Sequence, residues 1–270
     1  MKEFFGFGGY ERVPEGAMSW QHLTLVCIML LLMVGLAVFF GIRNRRKEFS
    51  DKNKVLIVTA ILIDSIELFK IVLFCFRAED PWDWLYNLPL FLCSIQLIAI
   101  PLAAFSKGRL REAALDFVFI FGLLGAVFGT FGATQNYNAY PVLCFDNMVS
   151  GITHSMSGFA SLYIAISGMA SMKKKNVGIT FGILSGFCVV AYIVNLLVDY
   201  NYMFLMSHDG TPYVIVHNLV GGNAILYPLG VVVLFLIYIA AFYGVYFLIE
   251  KKRAHKKTDA PAEEKVTAGV

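Results

Sequence analysis

Seven long apolar stretches constrain the fold of this chain more than any other feature. A helix needs about 20 apolar residues to cross the hydrocarbon core of a bilayer. Seven segments meet this length, at approximately 19–42, 54–76, 85–105, 112–133, 144–172, 177–200 and 223–250. Only 15% of the residues are charged and 58% are hydrophobic, whereas ordinary globular chains are about a quarter charged. We therefore predict an all-α, polytopic membrane protein built as a bundle of seven transmembrane helices.

Basic residues in alternate links predict the orientation of this bundle. The basic links contain Arg43–Lys47, Lys107–Arg111, Lys173–Lys175 and Lys251–Arg253. In the other three links Arg77 is the only lysine or arginine. By the positive-inside rule the N-terminus is outside and the C-terminus is cytoplasmic. The predicted regions are an extracellular segment (1–18), the transmembrane domain (19–250) and a basic, disordered cytoplasmic tail (251–270).

Several functional classes are disfavoured by what the sequence lacks. The net charge is only +3, and no basic face interleaved with aromatic residues indicates nucleic-acid binding. The five cysteines have no CxxC spacing, which disfavours a zinc knuckle or a redox pair. We expect no cofactor and no metal, although Asp64, Glu67 and His154 could converge on an ion. A retinal photoreceptor is disfavoured because the seventh segment has no lysine.

Polar residues recur at one depth in the predicted bundle. Counting 1.5 Å per residue from the outer helix ends puts Cys93, Glu67 and His154 about 12, 13 and 15 Å deep. Gln96 lies one turn deeper than Cys93, and Asn195 lies nearer the outer face. Unpaired polar groups are costly in hydrocarbon, so a polar layer at this depth predicts a shared functional cavity.

Cys93 and His154 are the candidate catalytic residues of this layer. A thiol nucleophile needs a base, and His154 is the only histidine within an apolar segment. Pro89, four residues before Cys93, frees a backbone carbonyl and predicts a helix that opens toward a cavity. The alternative is that both residues are inert parts of the core.

The other polar residues of the layer leave two interpretations open. Glu67 and Lys70 lie on one helix face and could neutralise each other, or Glu67 could orient His154. The long outer loop that follows Asn195 and Asp199 could cap the cavity or simply fold on the surface.

Glycines recur at close spacing in the fourth and sixth segments. These are Gly122, Gly125 and Gly129, and Gly178, Gly182 and Gly186. Small residues at such spacing predict close helix packing rather than chemistry.

Three sequence features resemble a known family. Leu88-Pro-Leu-Phe-Leu-Cys-Ser94, the mid-helix His154, and Asn201–Leu205 followed by Thr211-Pro212 resemble the bacterial YwaF-type membrane proteins, which are similar to the transmembrane protein 164 family. The resemblance implies a plasma-membrane protein of bacterial type, related to phospholipid acyltransferases and more distantly to androgen-induced lipid hydrolases. The family's intramembrane cysteine and histidine fall on Cys93 and His154. Bacterial relatives often have a histidine where this chain has Phe91.

These observations predict a lipid-modifying membrane enzyme that acts on membrane phospholipids. Cys93 and His154 would carry out acyl transfer or ester hydrolysis at outer-leaflet depth, with Glu67 or Gln96 holding the histidine or the substrate. Asn195 or Asn87 would stabilise the oxyanion, and Asp199 completes the supporting polar layer. The alternative is a solute-binding or transport protein that uses the same cavity, although the chain has no evident inverted repeat.

Overall fold

The structure, a computed structural model, describes residues 1–130 and 132–258, with side chains described as far as residue 252. This part of the chain is helical and has no strand. The helices are α1 (Trp20–Asn44), α2 (Phe49–Ala78), α3 (Gln96–Phe105), α4 (Gly108–Thr130), α5 (Thr134–Ala139), α6 (Phe145–Ser167), α7 (Val177–Val198), α8 (Val214–Leu219) and α9 (Leu226–Thr258). Short 3-10 turns occupy Asp83–Tyr86, Lys174–Asn176 and Tyr202–Phe204.

Long apolar helices confirm the all-α prediction. Within the described residues, four segments are long and apolar enough to cross a membrane: Trp20–Asn44, Gly108–Ala139, Lys174–Val198 and Leu226–Lys252. Helices α2 and α6, of 30 and 23 residues, have sufficient length but carry polar side chains within it. The count of seven spans and the orientation of the termini remain predictions. Helix α9 continues to Thr258, and residues 259–270 of the predicted tail lie outside the described residues.

The third predicted segment differs from a single helix. Helix α3 begins only at Gln96 and has 10 residues, about 15 Å of helix. The preceding residues form a 3-10 turn and irregular backbone, because Pro89 lacks an N–H and disfavours helical geometry at Leu88. Tyr202 holds this backbone, since its hydroxyl accepts from Leu88 N–H (3.0 Å) and donates to Leu85 C=O (2.5 Å). Irregular backbone at membrane depth is tolerated where protein surrounds it or it lines a cavity.

The glycines of α4 lie at a close helix contact, whereas no neighbouring helix approaches the glycines of α7. A Cβ placed on Gly122 would lie 2.6 Å from the carbonyl oxygen of Ser157 on α6. The backbones of α4 and α6 therefore approach as the glycine spacing predicts. Around Gly178, Gly182 and Gly186, no described atom lies within 4 Å of such a Cβ. The prediction of close packing was thus wrong for α7, because its glycines face away from the neighbouring helices.

A buried carboxylate ties several elements together at the end of the bundle where Lys173–Lys175 lie. Asp116 of α4 is fully buried. It accepts hydrogen bonds from the N–H groups of Ser171 (3.0 Å) and Met172 (2.8 Å). The Asn176 amide (3.0 Å) and the Tyr243 hydroxyl (3.1 Å) also donate to it. These donors belong to the α6–α7 link and α9, so Asp116 fixes the link and α9 against α4.

The N-terminal segment packs on the opposite end of the bundle. Arg77 of α2 binds both carboxylate oxygens of Asp146 on α6, at 2.6 and 2.8 Å. The Tyr10 hydroxyl donates to the same carboxylate. Burial, together with the Asp146 carboxylate, raises the pKa of Tyr10 above its usual value. Glu15 accepts from Val142 N–H at 2.7 Å, so residues 10–15 are attached to the region where α6 begins.

Candidate functional site

A cavity of about 140 Å³ brings together the side chains predicted to share one depth. It lies between α2, the irregular segment before α3, and α6. Its lining residues are Ile63, Glu67, Lys70, Cys93, Ser94, Leu97, Ser150, Thr153, His154 and Ser157. Of the six predicted site residues, Cys93, His154 and Glu67 line this cavity.

Cys93 lies in the turn that leads into α3. Its Sγ is 3.9 Å from the Ser94 hydroxyl, and its side chain is half-buried. The turn is closed by hydrogen bonds from Ile95 N–H to Phe91 C=O (2.9 Å) and from Leu97 N–H to Ser94 C=O (3.0 Å). The N–H groups of Cys93 and Ser94 have no acceptor among the described residues. Free N–H groups are typical of a helix start and are available to a ligand.

The imidazole of His154 has a defined tautomer. Its Nδ1 lies 2.7 Å from the carbonyl oxygen of Ser150, one turn earlier on α6. A carbonyl oxygen only accepts, so Nδ1 carries a proton, and in the neutral imidazole the lone pair is then on Nε2. The backbone of α6 therefore orients this histidine, in the way that second-shell carbonyls orient histidines in metal sites.

Glu67 and Lys70 form an ion pair on the cavity wall. The Glu67 side chain is 10% exposed and the Lys70 side chain 20% exposed. The ion pair of the first interpretation is therefore present, and it lines the same cavity as Cys93 and His154. No hydrogen bond joins Glu67 to His154 within the described residues. One carboxylate oxygen of Asp64 is buried and has no hydrogen-bond partner among the described residues.

Helix α4 forms the wall behind Cys93 and His154. A Cβ on Gly125 would lie 3.6 Å from the Cα and Cβ atoms of Cys93. Gly129, one turn later, lies against the His154 ring. Sequence reasoning gave these glycines a packing role only. The signal that could have linked Gly125 to the site is its predicted depth of about 12 Å below the outer end of the fourth segment, which equals that of Cys93.

The remaining predicted site residues do not line the cavity. Asn195 is buried and binds the backbone of Tyr202, donating to its C=O (3.0 Å) and accepting from its N–H (2.7 Å). Asp199 is exposed at the end of α7. Gln96 is fully buried at the start of α3, and its amide has no hydrogen-bond partner among the described residues. Asn87 donates to the carbonyl and the carboxylate of Asp83, each at 3.1 Å.

Phe91 belongs to an aromatic cluster with the outer loop. Its ring centroid lies 5.2 Å from that of Tyr202 and 5.7 Å from that of Phe204. Phe91 therefore faces the loop and does not line the cavity.

The outer loop packs on the segment that carries Cys93. The Tyr202 hydroxyl bridges Leu85 and Leu88. The side-chain amide of Asn201 donates a hydrogen bond to the Asp209 carboxylate at 2.5 Å and so organises the rest of the loop. The Ser207 hydroxyl and the Asn201 amide lower the pKa of Asp209 below its usual value. The loop thus braces the cavity from outside, although none of its residues lines it.

Metal-ligating side chains do not gather at this site. Among the described residues, no three His, Cys, Asp or Glu side chains are grouped so that they could hold an ion. Asp64, Glu67 and His154 therefore do not converge as the sequence allowed.

A comparison with protein families gives one match. A family model described as the TMEM164 family matches residues 17–246, a range that contains every residue of the cavity. No curated protein and no solved structure matches the chain.

Proposed function

The chain belongs to the TMEM164 family of membrane proteins, and on that premise we propose that it is an enzyme that transfers or hydrolyses lipid acyl groups through Cys93. The observation that carries the proposal is the shared cavity of Cys93 and His154, in which the Ser150 carbonyl binds Nδ1 of the imidazole and leaves Nε2 as the nitrogen that can accept a proton. A nucleophile and a base within one cavity, with the base oriented by a third group, are typical of covalent acyl transfer.

The reaction would proceed in two steps, acylation of Cys93 and transfer of the acyl group from it. His154 Nε2 takes the proton of the Cys93 thiol, and the thiolate attacks the ester carbonyl of a lipid. The ester C–O bond breaks, a thioester forms, and the leaving alkoxide receives the proton from His154. An acceptor alcohol or water, deprotonated by His154, then attacks the thioester. The C–S bond breaks, the new ester or the fatty acid leaves, and the Cys93 thiolate takes the proton back from His154.

The oxyanion of each step would be stabilised by groups next to Cys93. Asn195 and Asn87, predicted for this role, are engaged elsewhere. The Thr153 and Ser157 hydroxyls donate to carbonyls of their own helix, at 3.1 and 3.0 Å. The backbone N–H groups of Cys93 and Ser94 and the Ser94 hydroxyl remain as donors, together with the Lys70 ammonium. Fixed donors aimed at a developing negative charge are commonly the largest catalytic contribution.

The size of the cavity supports catalysis on part of a lipid. Pockets that enclose drug-sized ligands measure about 300–1,000 Å³, whereas this cavity measures about 140 Å³. We expect it to receive the ester group while the acyl chains stay in the surrounding bilayer.

The proposed topology has seven crossings, with the N-terminus outside and the C-terminus in the cytoplasm of a bacterial-type plasma membrane. The crossings would be α1, α2, the 83–105 segment that ends in α3, α4, α6, α7 and α9. This order puts Arg43–Lys47, Lys107–Arg111, Lys173–Lys175 and the end of α9 on one side, as the positive-inside rule requires. Phospholipids of the outer leaflet would then be the substrates nearest to Cys93.

Intact-protein mass spectrometry tests the enzyme proposal. Protein purified from its native membrane should carry a fatty-acyl mass that hydroxylamine removes and that is absent from Cys93→Ala. Cys188→Ala is the matched control, since Cys188 is a buried cysteine of α7 outside the cavity. Absence of the adduct, together with thiol labelling of Cys93 no faster than that of Cys27, would refute the nucleophile assignment.

A solute-binding or transport function is the second candidate. The Glu67–Lys70 ion pair on the cavity wall favours it, because charged groups within spanning helices commonly mark solute or proton pathways. Cys93→Ser distinguishes the two functions. An enzyme should lose lipid turnover, whereas a binding or transport protein should tolerate the change.

A further inference from the structure

A second, larger cleft lies between the end of α1 and the start of α2. Its volume is about 460 Å³, within the range of small-ligand pockets. Lys54 on its rim and Glu67 in the Cys93 cavity are both on α2, about 20 Å apart along the helix axis. The two cavities are therefore separate, and the cleft lies among the basic links.

The floor of the cleft is held by hydrogen bonds between three helices. Asn44 of α1 is 5% exposed, and its amide donates to the Tyr163 hydroxyl of α6 at 3.2 Å. That hydroxyl donates to the carbonyl of Lys52 on α2 at 2.9 Å. Phe40 and Val55 add apolar surface beside Asn44. The cleft is thus a built feature of the fold rather than a gap between mobile side chains.

The rim of the cleft carries excess positive charge. Its charged lining residues are Arg43, Lys47, Asp51 and Lys54. Asp51 is paired with Lys54 at 2.8 Å. No acidic partner pairs with Arg43 or Lys47 in the described part of the chain. Three cations and one carboxylate therefore give this concave surface a net charge of +2, and Arg43 and Lys47 are the cations without an ion-pair partner among the described residues.

We infer that this cleft binds a phosphate-bearing anion through Arg43 and Lys47. A guanidinium matches the geometry of phosphate oxygens, and an ammonium adds a point charge. The apolar surface of Phe40 and Val55 suits the carbon atoms next to a phosphate ester. An anionic phospholipid head group and a soluble phosphate ester share this chemistry. The inference does not depend on the activity proposed for Cys93.

Native mass spectrometry of the full-length protein in detergent, titrated with phosphatidylglycerol or phosphatidylcholine, tests the site. Arg43→Gln/Lys47→Gln should weaken phosphatidylglycerol binding by about tenfold or more, because each cation near a membrane surface contributes about one kcal/mol. Arg45→Gln/Arg46→Gln is the matched control. It removes the same charge from two exposed residues of the same link that do not line the cleft. The control should retain wild-type affinity.

Equal losses in the two double variants would overturn the inference, because they would indicate general attraction to a basic surface. Unchanged binding in both, or equal binding of the two lipids by the wild type, would also overturn it. If the Arg43/Lys47 variant fails to fold, Lys47→Glu and its control Arg46→Glu make the same comparison at single exposed residues.

Competition identifies the source of the phosphate. Displacement of phosphatidylglycerol by millimolar glycerol phosphate or inorganic phosphate would support the site and assign it to a soluble ligand. Binding that resists both competitors but is lost in Arg43→Gln/Lys47→Gln would support the site and assign it to a lipid head group.

Discussion

Gly129 of α4 lies directly against the imidazole of His154. A Cβ at position 129 would be 1.8 Å from Cδ2 and 2.2 Å from Nε2 of the ring, distances that no pair of non-bonded atoms can adopt. The ring can occupy its place in the cavity only because residue 129 has no side chain. The geometry of the proposed base is therefore set by α4 as well as by its own helix.

Gly129→Ala should displace His154 and impair chemistry at Cys93. Misplacing a catalytic group by about 1 Å can cost roughly 100-fold in rate, so we expect a loss of that order in acylation of Cys93. Gly125→Ala is the control on the same helix face, because its Cβ would meet Cys93 at an ordinary 3.6 Å. The measurement is the fraction of acylated protein by mass spectrometry. Equal acylation of Cys93 in the two variants would mean that His154 takes no part in the reaction.

Tyr202→Phe should loosen the segment that carries Cys93. The change removes the hydroxyl that bridges Leu85 and Leu88, and one such hydrogen bond contributes about 1 kcal/mol. Labelling of Cys93 by a bulky, lipid-soluble thiol reagent should become faster. Tyr200→Phe is the control. Tyr200 packs in the same aromatic cluster, and its hydroxyl makes no hydrogen bond among the described residues. Unchanged labelling in Tyr202→Phe would mean that the bridge does not restrain the segment.

Asp116→Ala should be among the most destabilising single changes in the bundle. It leaves the part-buried N–H of Ser171 and the buried N–H of Met172 without an acceptor, and we expect a loss of about 3 kcal/mol in the free energy of unfolding. Tyr243→Phe removes only one donor and should cost about 1 kcal/mol. Denaturant unfolding in detergent measures both, with the exposed Glu250→Ala as a neutral reference. A loss for Asp116→Ala no larger than for Tyr243→Phe would contradict this role.

Attachment of the N-terminal segment should weaken in acid. The Val142 N–H bond, together with the nearby Arg12, lowers the pKa of Glu15 below its ordinary value. A carboxyl whose pKa is lowered by folding stabilises the fold fully above its unfolded pKa of about 4.3, and this contribution disappears as the pH falls through the folded value. The stability difference between wild type and Glu15→Gln should therefore shrink below about pH 4. Thermal unfolding at stepped pH measures it, and a difference that persists in acid would contradict the assignment.

The sequence alone determined the helical class and grouped three residues of the candidate site by their predicted depth. The length of each apolar segment can be counted in the sequence, and the constant rise of a helix converts that count into a depth. Cys93, Glu67 and His154 could therefore be grouped before any contact was known. Both properties are local, because they depend only on neighbours along the chain. The resemblance around Cys93 and His154 is likewise a local pattern, and the family match confirms membership of the transmembrane protein 164 family.

Only the tertiary structure decided which side chains face one another. Gln96 and Asn195 had suitable depths, yet Asn195 binds the backbone of Tyr202 and neither residue lines the cavity. The irregular backbone before α3 is held by Tyr202, more than 100 residues away in the chain. The direction of a side chain around its helix is set by packing against distant segments, and helical rise carries no information about it.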